Sequence, residues 1–236
     1  MLDALRLEAF VLSEERMARR DGSCVLETLP PPQPADVCAA PGAFAAARSA
    51  PPLRADVARL LLGNELRALA CACFAAAEAA AGGALVAAGN ADTAGDVAAA
   101  AATAGCFLLN EQYIVKPGGG GGGGAQGTAF AWHADGEALP HGAPSCLSIW
   151  AALDEATASN GCLEVALRAG SSSAASLALL ELPAGCAVVL SHTLPHRSGP
   201  NATARDRRAW MPQFSRAPVL SAGGAPLALA VPLRPP

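Results

Sequence analysis

The chain of 236 residues has few of the side chains that usually fill a core and few that bind polyanions. Aromatics make up only 4%, with one tyrosine and three tryptophans, so the 52% hydrophobic content rests on leucine, valine and alanine. Lys116 is the only lysine. A net charge of -4 and one short basic cluster, Arg205-Asp206-Arg207-Arg208, argue against a nucleic-acid partner, which needs cations gathered on one face. None of the eight cysteines forms a C-x-x-C pair, which argues against a zinc site or a thioredoxin-like centre. They fall largely in apolar runs, where a thiol behaves as a small hydrophobe, and read as reduced in a reducing, cytoplasmic compartment. No 18-residue window is both apolar enough and suitably flanked for an integral membrane segment. The acids Asp3, Glu8, Glu14 and Glu15 do not suit a secretory or organellar leader, although the small-residue stretch from Ala40 to Pro52 leaves organellar targeting open.

What is present changes character midway. The length suits one domain, 1-236, with a helical, Ala-rich part over 1-105 and a β-rich part over 106-236. Helical spacing runs through residues 2 to 20 and again from 53 to 80, with Gly63-Asn64 as a break. Leu29-Pro30-Pro31-Pro32-Gln33-Pro34 ends any helix. The alanine run from 75 to 105 has good helix propensity and little packing bulk, and Gly82-Gly83 and Gly89-Asn90 interrupt it. From Cys106 onward the spacing predicts short strands at Phe107 to Val115, Ala129 to His133, Cys146 to Leu153, Cys162 to Leu167, Cys186 to His192, Ala209 to Phe214 and Leu227 to Leu233. That count, with Gly and Pro between strands, points to a sandwiched or closed β architecture. Gly118 to Gly124 has no Gly-Lys-Ser/Thr and is therefore no phosphate loop; it reads as a low-complexity surface loop.

Ala131-Trp132-His133-Ala134-Asp135-Gly136 carries an H-x-D. Side chains at i and i+2 leave a strand on one face, so both can reach one metal. Two His and one carboxylate form the facial triad of non-haem Fe(II) sites, which leaves coordination positions open. Alone, an H-x-D is more often a surface turn. A second histidine has to come from a distant strand, and Ser191-His192-Thr193-Leu194-Pro195-His196 offers two. Pro195 and the β-rich run before it argue against reading that pair as one helix face. Arg207 follows His196 by eleven positions.

The order of these residues, with Gln112-Tyr113-Ile114-Val115-Lys116-Pro117 before them, Ser148-Ile149-Trp150-Ala151-Ala152-Leu153 and Ser159-Asn160-Gly161-Cys162-Leu163 between them, and His196-Arg197-Ser198-Gly199-Pro200-Asn201 at the end, resembles the phytanoyl-CoA dioxygenase family of Fe(II)- and 2-oxoglutarate-dependent oxygenases. The resemblance covers about Leu108 to Phe214. It implies a mainly β fold with N-terminal helices, a double-stranded β-helix of the jelly-roll, cupin-like kind. It implies metal ligands at His133, Asp135 and His196, the last because the family's ligand directly precedes the Ser-Gly-Pro-Asn-like segment; His192 is then a structural neighbour. Arg207 would grip the distal carboxylate of 2-oxoglutarate through two parallel hydrogen bonds, which lysine cannot offer. Ser198 resembles the family serine on the same carboxylate. Trp150 and Gln112 match positions lining the cosubstrate pocket, although Gln112 stands where the family has methionine and Trp150 reads equally well as core. Asp135 favours hydroxylation over halogenation, since related halogenases replace this carboxylate with a small residue. Fe(II), 2-oxoglutarate and O2 would then hydroxylate a small, apolar or lipid-like substrate with release of succinate and CO2.

Two departures stand out. Ala166-Leu167-Arg168-Ala169-Gly170-Ser171-Ser172 replaces the family's Pro-Gly-Ser-His segment, and no lysine upstream matches one that some members use on the cosubstrate. The altered segment keeps a second reading open, a catalytically impaired metal-binding member serving as a binding or sensing module. A cupin-like isomerase or storage protein is a third, but it has no use for Arg207.

Overall fold

The computed structural model describes residues 1–19, 24–29, 33, 35–81, 105–118, 129–168 and 175–233. The glycine run beyond Gly118, most of the alanine run, the Pro30–Pro32 and Pro34 positions and Ala169–Ser172 lie outside them.

Among the described residues five α-helices precede most of the strands: α1 Leu2–Arg19, α2 Ala35–Ala39, α3 Pro41–Arg48, α4 Ala55–Leu61 and α5 Asn64–Ala81. The break between α4 and α5 falls at Gly63, where any Cβ would sit 3.0 Å from the Arg59 carbonyl oxygen. By length and composition Ala55–Glu78 is apolar enough to cross a membrane, which corrects the expectation that no window qualifies. Here it is two helices, and Val57, Leu61, Ala70, Cys71 and Phe74 bury against the sheet instead. The Ala40 to Pro52 stretch, left open as a targeting segment, contains α3, whose Phe44 and Arg48 are buried.

The strands are β1 Val25–Glu27, β2 Phe107–Lys116, β3 Phe130–His133, β4 Cys146–Ala152, β5 Leu163–Arg168, β6 Ala175–Leu180, β7 Ala187–Ser191, β8 His196–Ser198, β9 Arg207–Ser215 and β10 Val231–Pro232. They form two antiparallel sheets, β1-β2-β9-β4-β7 with β10 also on β2, and β3-β8-β5-β6. From β2 to β9 the strands are divided between the sheets as a double-stranded β-helix divides them, the architecture the resemblance implied. β1, β6 and β8 were not foreseen: β1 and β8 are only three residues long, and β6 lies next to the altered segment. The Leu227 to Leu233 strand shrinks to β10. β1 also places a strand inside the part read as helical.

Period-two alternation turns each strand of the larger sheet into a partition. Tyr113 and Val115 of β2, Leu147 and Ile149 of β4, and Trp210 and Phe214 of β9 pack under the helices. Their neighbours Ile114, Trp150, Ala209 and Met211 face the smaller sheet and meet Leu163 and Val165. The helix side also holds a buried ionic cluster. Arg48 donates to both oxygens of Glu8 (3.0 and 2.7 Å) and to Glu111, Tyr113 donates to Glu8 at 2.6 Å, and Trp210 Nε1 donates to Glu111 at 2.7 Å. This ties α1 and α3 to β2 and β9, and it leaves the inner face free for chemistry.

Candidate metal centre

The smaller sheet supplies both histidines. β3 ends at His133, and His196 opens β8, whose register places the two residues opposite each other. Ala134 continues the extended backbone, and Asp135 begins a short 3-10 turn, Asp135–Ala138, instead of staying on the strand. That bend brings the carboxylate between the two rings: Asp135 Oδ1 lies 3.9 Å from His133 Nε2 and 3.8 Å from His196 Nε2. All three ligand atoms fall within 4.8 Å of one another. Neighbouring donors about 2.1 Å from one six-coordinate ion lie roughly 3 Å apart, so the two carboxylate–imidazole gaps are within about 1 Å of that spacing and small side-chain rotations close them.

The remaining atoms of these side chains are engaged in ways that aim the ligand atoms inward. His133 Nδ1 is 2.8 Å from the Ala131 carbonyl oxygen, and His196 Nδ1 is 3.0 Å from that of Leu194. A proton held there on Nδ1 leaves Nε2 of each ring with a free lone pair, the tautomer a metal needs. Asp135 Oδ2 accepts from Ser148 Oγ at 2.5 Å and from Gln213 Nε2 at 3.4 Å, while Gln213 Nε2 also donates to Ser148 Oγ at 2.9 Å. Oδ1 is thereby left for the metal. Gly136 has to be small, because a Cβ would lie 2.8 Å from the His192 ring and its carbonyl oxygen, and Gly136 N–H donates to that oxygen at 2.8 Å.

Between the sheets a cavity opens onto this cluster, lined by the larger sheet's Gln112, Ile114, Trp150, Arg207 and Met211 and by Phe130, Leu163 and Ser198 on the opposite side. Arg207 is almost wholly buried, 1% exposed. Its Nη2 donates to the Gly161 carbonyl oxygen at 2.8 Å, whereas Nε and Nη1 are buried without a partner among the described residues. The guanidinium sits over the Trp150 ring, 5.3 Å from its centre. Burial lowers its pKa to about 10. A buried guanidinium with two unmatched donors is costly unless an anion completes it. The site thus has a metal-ligand set of the type that holds non-haem iron and an anion socket, and both face one cavity.

Sequence-derived candidates and their neighbours separate cleanly in space. His133, Asp135, His196, Arg207, Ser198, Trp150 and Gln112 all line this one cavity. His192 does not: its Nδ1 lies 2.9 Å from the Cys146 carbonyl oxygen. Arg205 is exposed, and Arg208 pairs with Asp154 at 2.7 Å. A methionine does face Gln112 after all, because Met211 is its register partner on β9. Sequence reasoning missed Ser148 and Gln213, whose parity on β4 and β9 matches that of Trp150 and Met211 and could have flagged them. It gave Lys116 no role at this end of the site. Lys116 is buried there, donating to Ser198 Oγ at 2.6 Å. Burial, reinforced by the charge of Arg207, lowers its pKa to about 7.

Comparison with known proteins fits this picture. The model of a family described as phytanoyl-CoA dioxygenase (PhyH) matches residues 18–166. No curated protein matches the chain. Among solved structures, EvdO2 from Micromonospora carbonacea var. aurantiaca, complexed with 2-oxoglutarate, is 28% identical over 49% of this chain and 54% of its own, with a TM-score of 0.40. The epimerase SnoN, in complex with Fe3+, alpha ketoglutarate and nogalamycin RO, is 18% identical over 59% of this chain and 69% of its own, with a TM-score of 0.45. The chain thus spans about half the length of EvdO2.

Proposed function

We propose, since this chain belongs to the phytanoyl-CoA dioxygenase family, that it is an Fe(II)- and 2-oxoglutarate-dependent dioxygenase that hydroxylates a small, apolar or lipid-like substrate and releases succinate and CO2. The observation that carries the reading is one cavity with the His133–Asp135–His196 set and the two unpaired donors of buried Arg207.

The donor set fits iron: two neutral imidazoles and one carboxylate hold a divalent ion and leave places for other ligands. Bound Fe(II) supplies the oxidative decarboxylation of 2-oxoglutarate with O2 and the transfer of one oxygen atom to the substrate. The chain does the rest. His133 and His196 present Nε2 because the Ala131 and Leu194 carbonyls hold Nδ1–H. Ser148 and Gln213 keep Asp135 turned so that Oδ1 faces both rings. Arg207, with Ser198 beside it, takes the distal carboxylate of 2-oxoglutarate and so fixes the length at which the keto acid reaches the metal ligands. Ile114, Phe130, Leu163 and Met211 give the cavity apolar walls that exclude water and suit an apolar substrate. Free thiols fit activity in the cytoplasm.

Two measurements test this. Anaerobic addition of Fe(II) and 2-oxoglutarate should produce a weak visible charge-transfer band, and admission of O2 should release succinate and CO2 in equal amounts. An untargeted comparison of metabolite extracts with and without the enzyme should then show a substrate gaining one oxygen atom. A binding protein without turnover would give the band and no succinate.

A further inference from the structure

Lys116 ends β2 with its side chain fully buried, on the inner face and just behind the cavity wall. Its Nζ donates to Ser198 Oγ at 2.6 Å and to the Gly199 carbonyl oxygen at 2.5 Å, and lies 5.2 Å from the centre of the Phe130 ring. The fit is close. Gly161 stands in the left-handed region at φ 80°, and a Cβ there would run into the Gly199 carbonyl and lie 3.1 Å from Nζ. Among the described residues no carboxylate faces this amine. The titratable groups around it are Arg207 from β9, the Cys24 thiol ahead of β1 and the Cys162 thiol ahead of β5. A lysine buried against an arginine with no counter-charge is unfavourable in the empty site.

A hydroxyl has one proton and two acceptor lone pairs. By donating to Ser198 Oγ, Lys116 occupies an acceptor position on it. Among the described residues the Ser198 proton goes to no acceptor, and Ser198 lines the same cavity as Arg207. We propose that Lys116, as a positioning residue acting through Ser198, is the second cation of the anion socket: it turns Ser198 into a donor towards the cavity and takes up a proton when the distal carboxylate of 2-oxoglutarate settles against Arg207. This rests on the assignment of that socket to 2-oxoglutarate above.

The direction of proton flow follows from the electrostatics. Burial, then the positive charge of Arg207, hold the amine at a pKa of about 7, so at pH 8 it is mostly neutral in the empty socket. Arg207, at about 10, is still charged. A carboxylate placed between Arg207 and Ser198 cancels the repulsion and favours the ammonium, so binding at pH 8 draws a proton from solvent.

Calorimetric titration of 2-oxoglutarate into the full chain loaded with Mn(II), at pH 8 in Tris and in HEPES, tests this. The two heats should differ by the difference between the ionisation enthalpies of the two buffers, multiplied by roughly half to one proton taken up per 2-oxoglutarate. In Lys116→Met the buffer dependence should vanish and affinity should fall roughly tenfold. Ser198→Ala should lower affinity as well, and the double variant should lose less than the product of the two single losses, as partners in one chain of hydrogen bonds do. Equal heats in the two buffers, with tight binding by the unaltered chain that disappears in Arg207→Ala, would overturn the role of Lys116 while leaving the socket standing. Absence of any 2-oxoglutarate binding by the unaltered chain would instead overturn the socket itself. The buffer comparison needs no variant, so it decides even if Lys116→Met fails to fold.

Discussion

The guanidinium of Arg207 lies over the indole of Trp150, 5.3 Å from the ring centre, and two of its buried nitrogens face no acceptor among the described residues. The indole supplies area and a weak cation–π attraction and none of the missing acceptors, so the arginine is held flat and left unsatisfied. Arg207→Ala should therefore weaken 2-oxoglutarate binding by roughly a hundredfold or more, in line with losing the partner of a buried charge. Exposed Arg205 shares the parity of Arg207 but not its burial, and Arg205→Ala should change binding by less than about threefold. Calorimetry on both variants decides; equal losses would mean a shared clamp.

His196 and His192 are separated by function as well as position. Because His192 is bonded to the Cys146 backbone and not to the cluster, His192→Ala should keep the anaerobic Fe(II)–2-oxoglutarate band and His196→Ala should abolish it. The reverse outcome would reassign the distal ligand.

Ser148 and Gln213 hold Oδ2 of Asp135 and leave Oδ1 turned towards the two imidazoles. Removing such an outer partner typically costs on the order of ten- to a hundredfold in metal affinity. Ser148→Ala should show a loss in that range when Mn(II) or Co(II) is titrated, with thermal stability little changed. An unaltered metal affinity would mean that Asp135 is oriented by its own 3-10 turn alone.

Arg48 is ion-paired with both Glu8 and Glu111, and all three side chains are buried. Arg48→Met should leave both carboxylates stranded and destabilise the chain by about 3–5 kcal/mol in denaturant unfolding. A much smaller loss would mean that the cluster does not depend on this arginine for its stability.

Asp154 carries the pH dependence expected of the surface pair. Partial burial raises its pKa, but the hydrogen bonds from Arg208 outweigh that and the net shift is downward. A depressed carboxyl contributes stability that is present above the unfolded value near 4 and is lost as pH falls through the folded one. Asp154→Asn should thus cost about 0.5–1 kcal/mol at pH 7 and progressively less below about pH 4. A cost that does not change with pH would point to packing instead of charge.

The sequence by itself determined which residues carry the chemistry: the H-x-D, the histidine ahead of Ser-Gly-Pro-Asn and the arginine eleven residues on are legible as the pattern of the family the chain resembles, although Asp135 reaches the histidines through a 3-10 turn and not through strand parity. It also determined the α4–α5 break at Gly63, where a Cβ would be tight against the Arg59 and Leu60 carbonyl oxygens. Only the tertiary structure decided what those residues meet. Ser148, Gln213 and Lys116 are common polar side chains in strands; parity puts Ser148 and Gln213 on the inner face, but which groups the three meet is set by the packing of distant strands. Lys116 lies 82 positions from Ser198, its hydrogen-bond partner. Arg48 falls in the small-residue stretch that left organellar targeting open, yet it is a buried ion-pair partner of two glutamates from other elements. The short β1, β6 and β8 escaped notice because such strands owe their existence to pairing across the sheets, a long-range energy that no window of sequence contains.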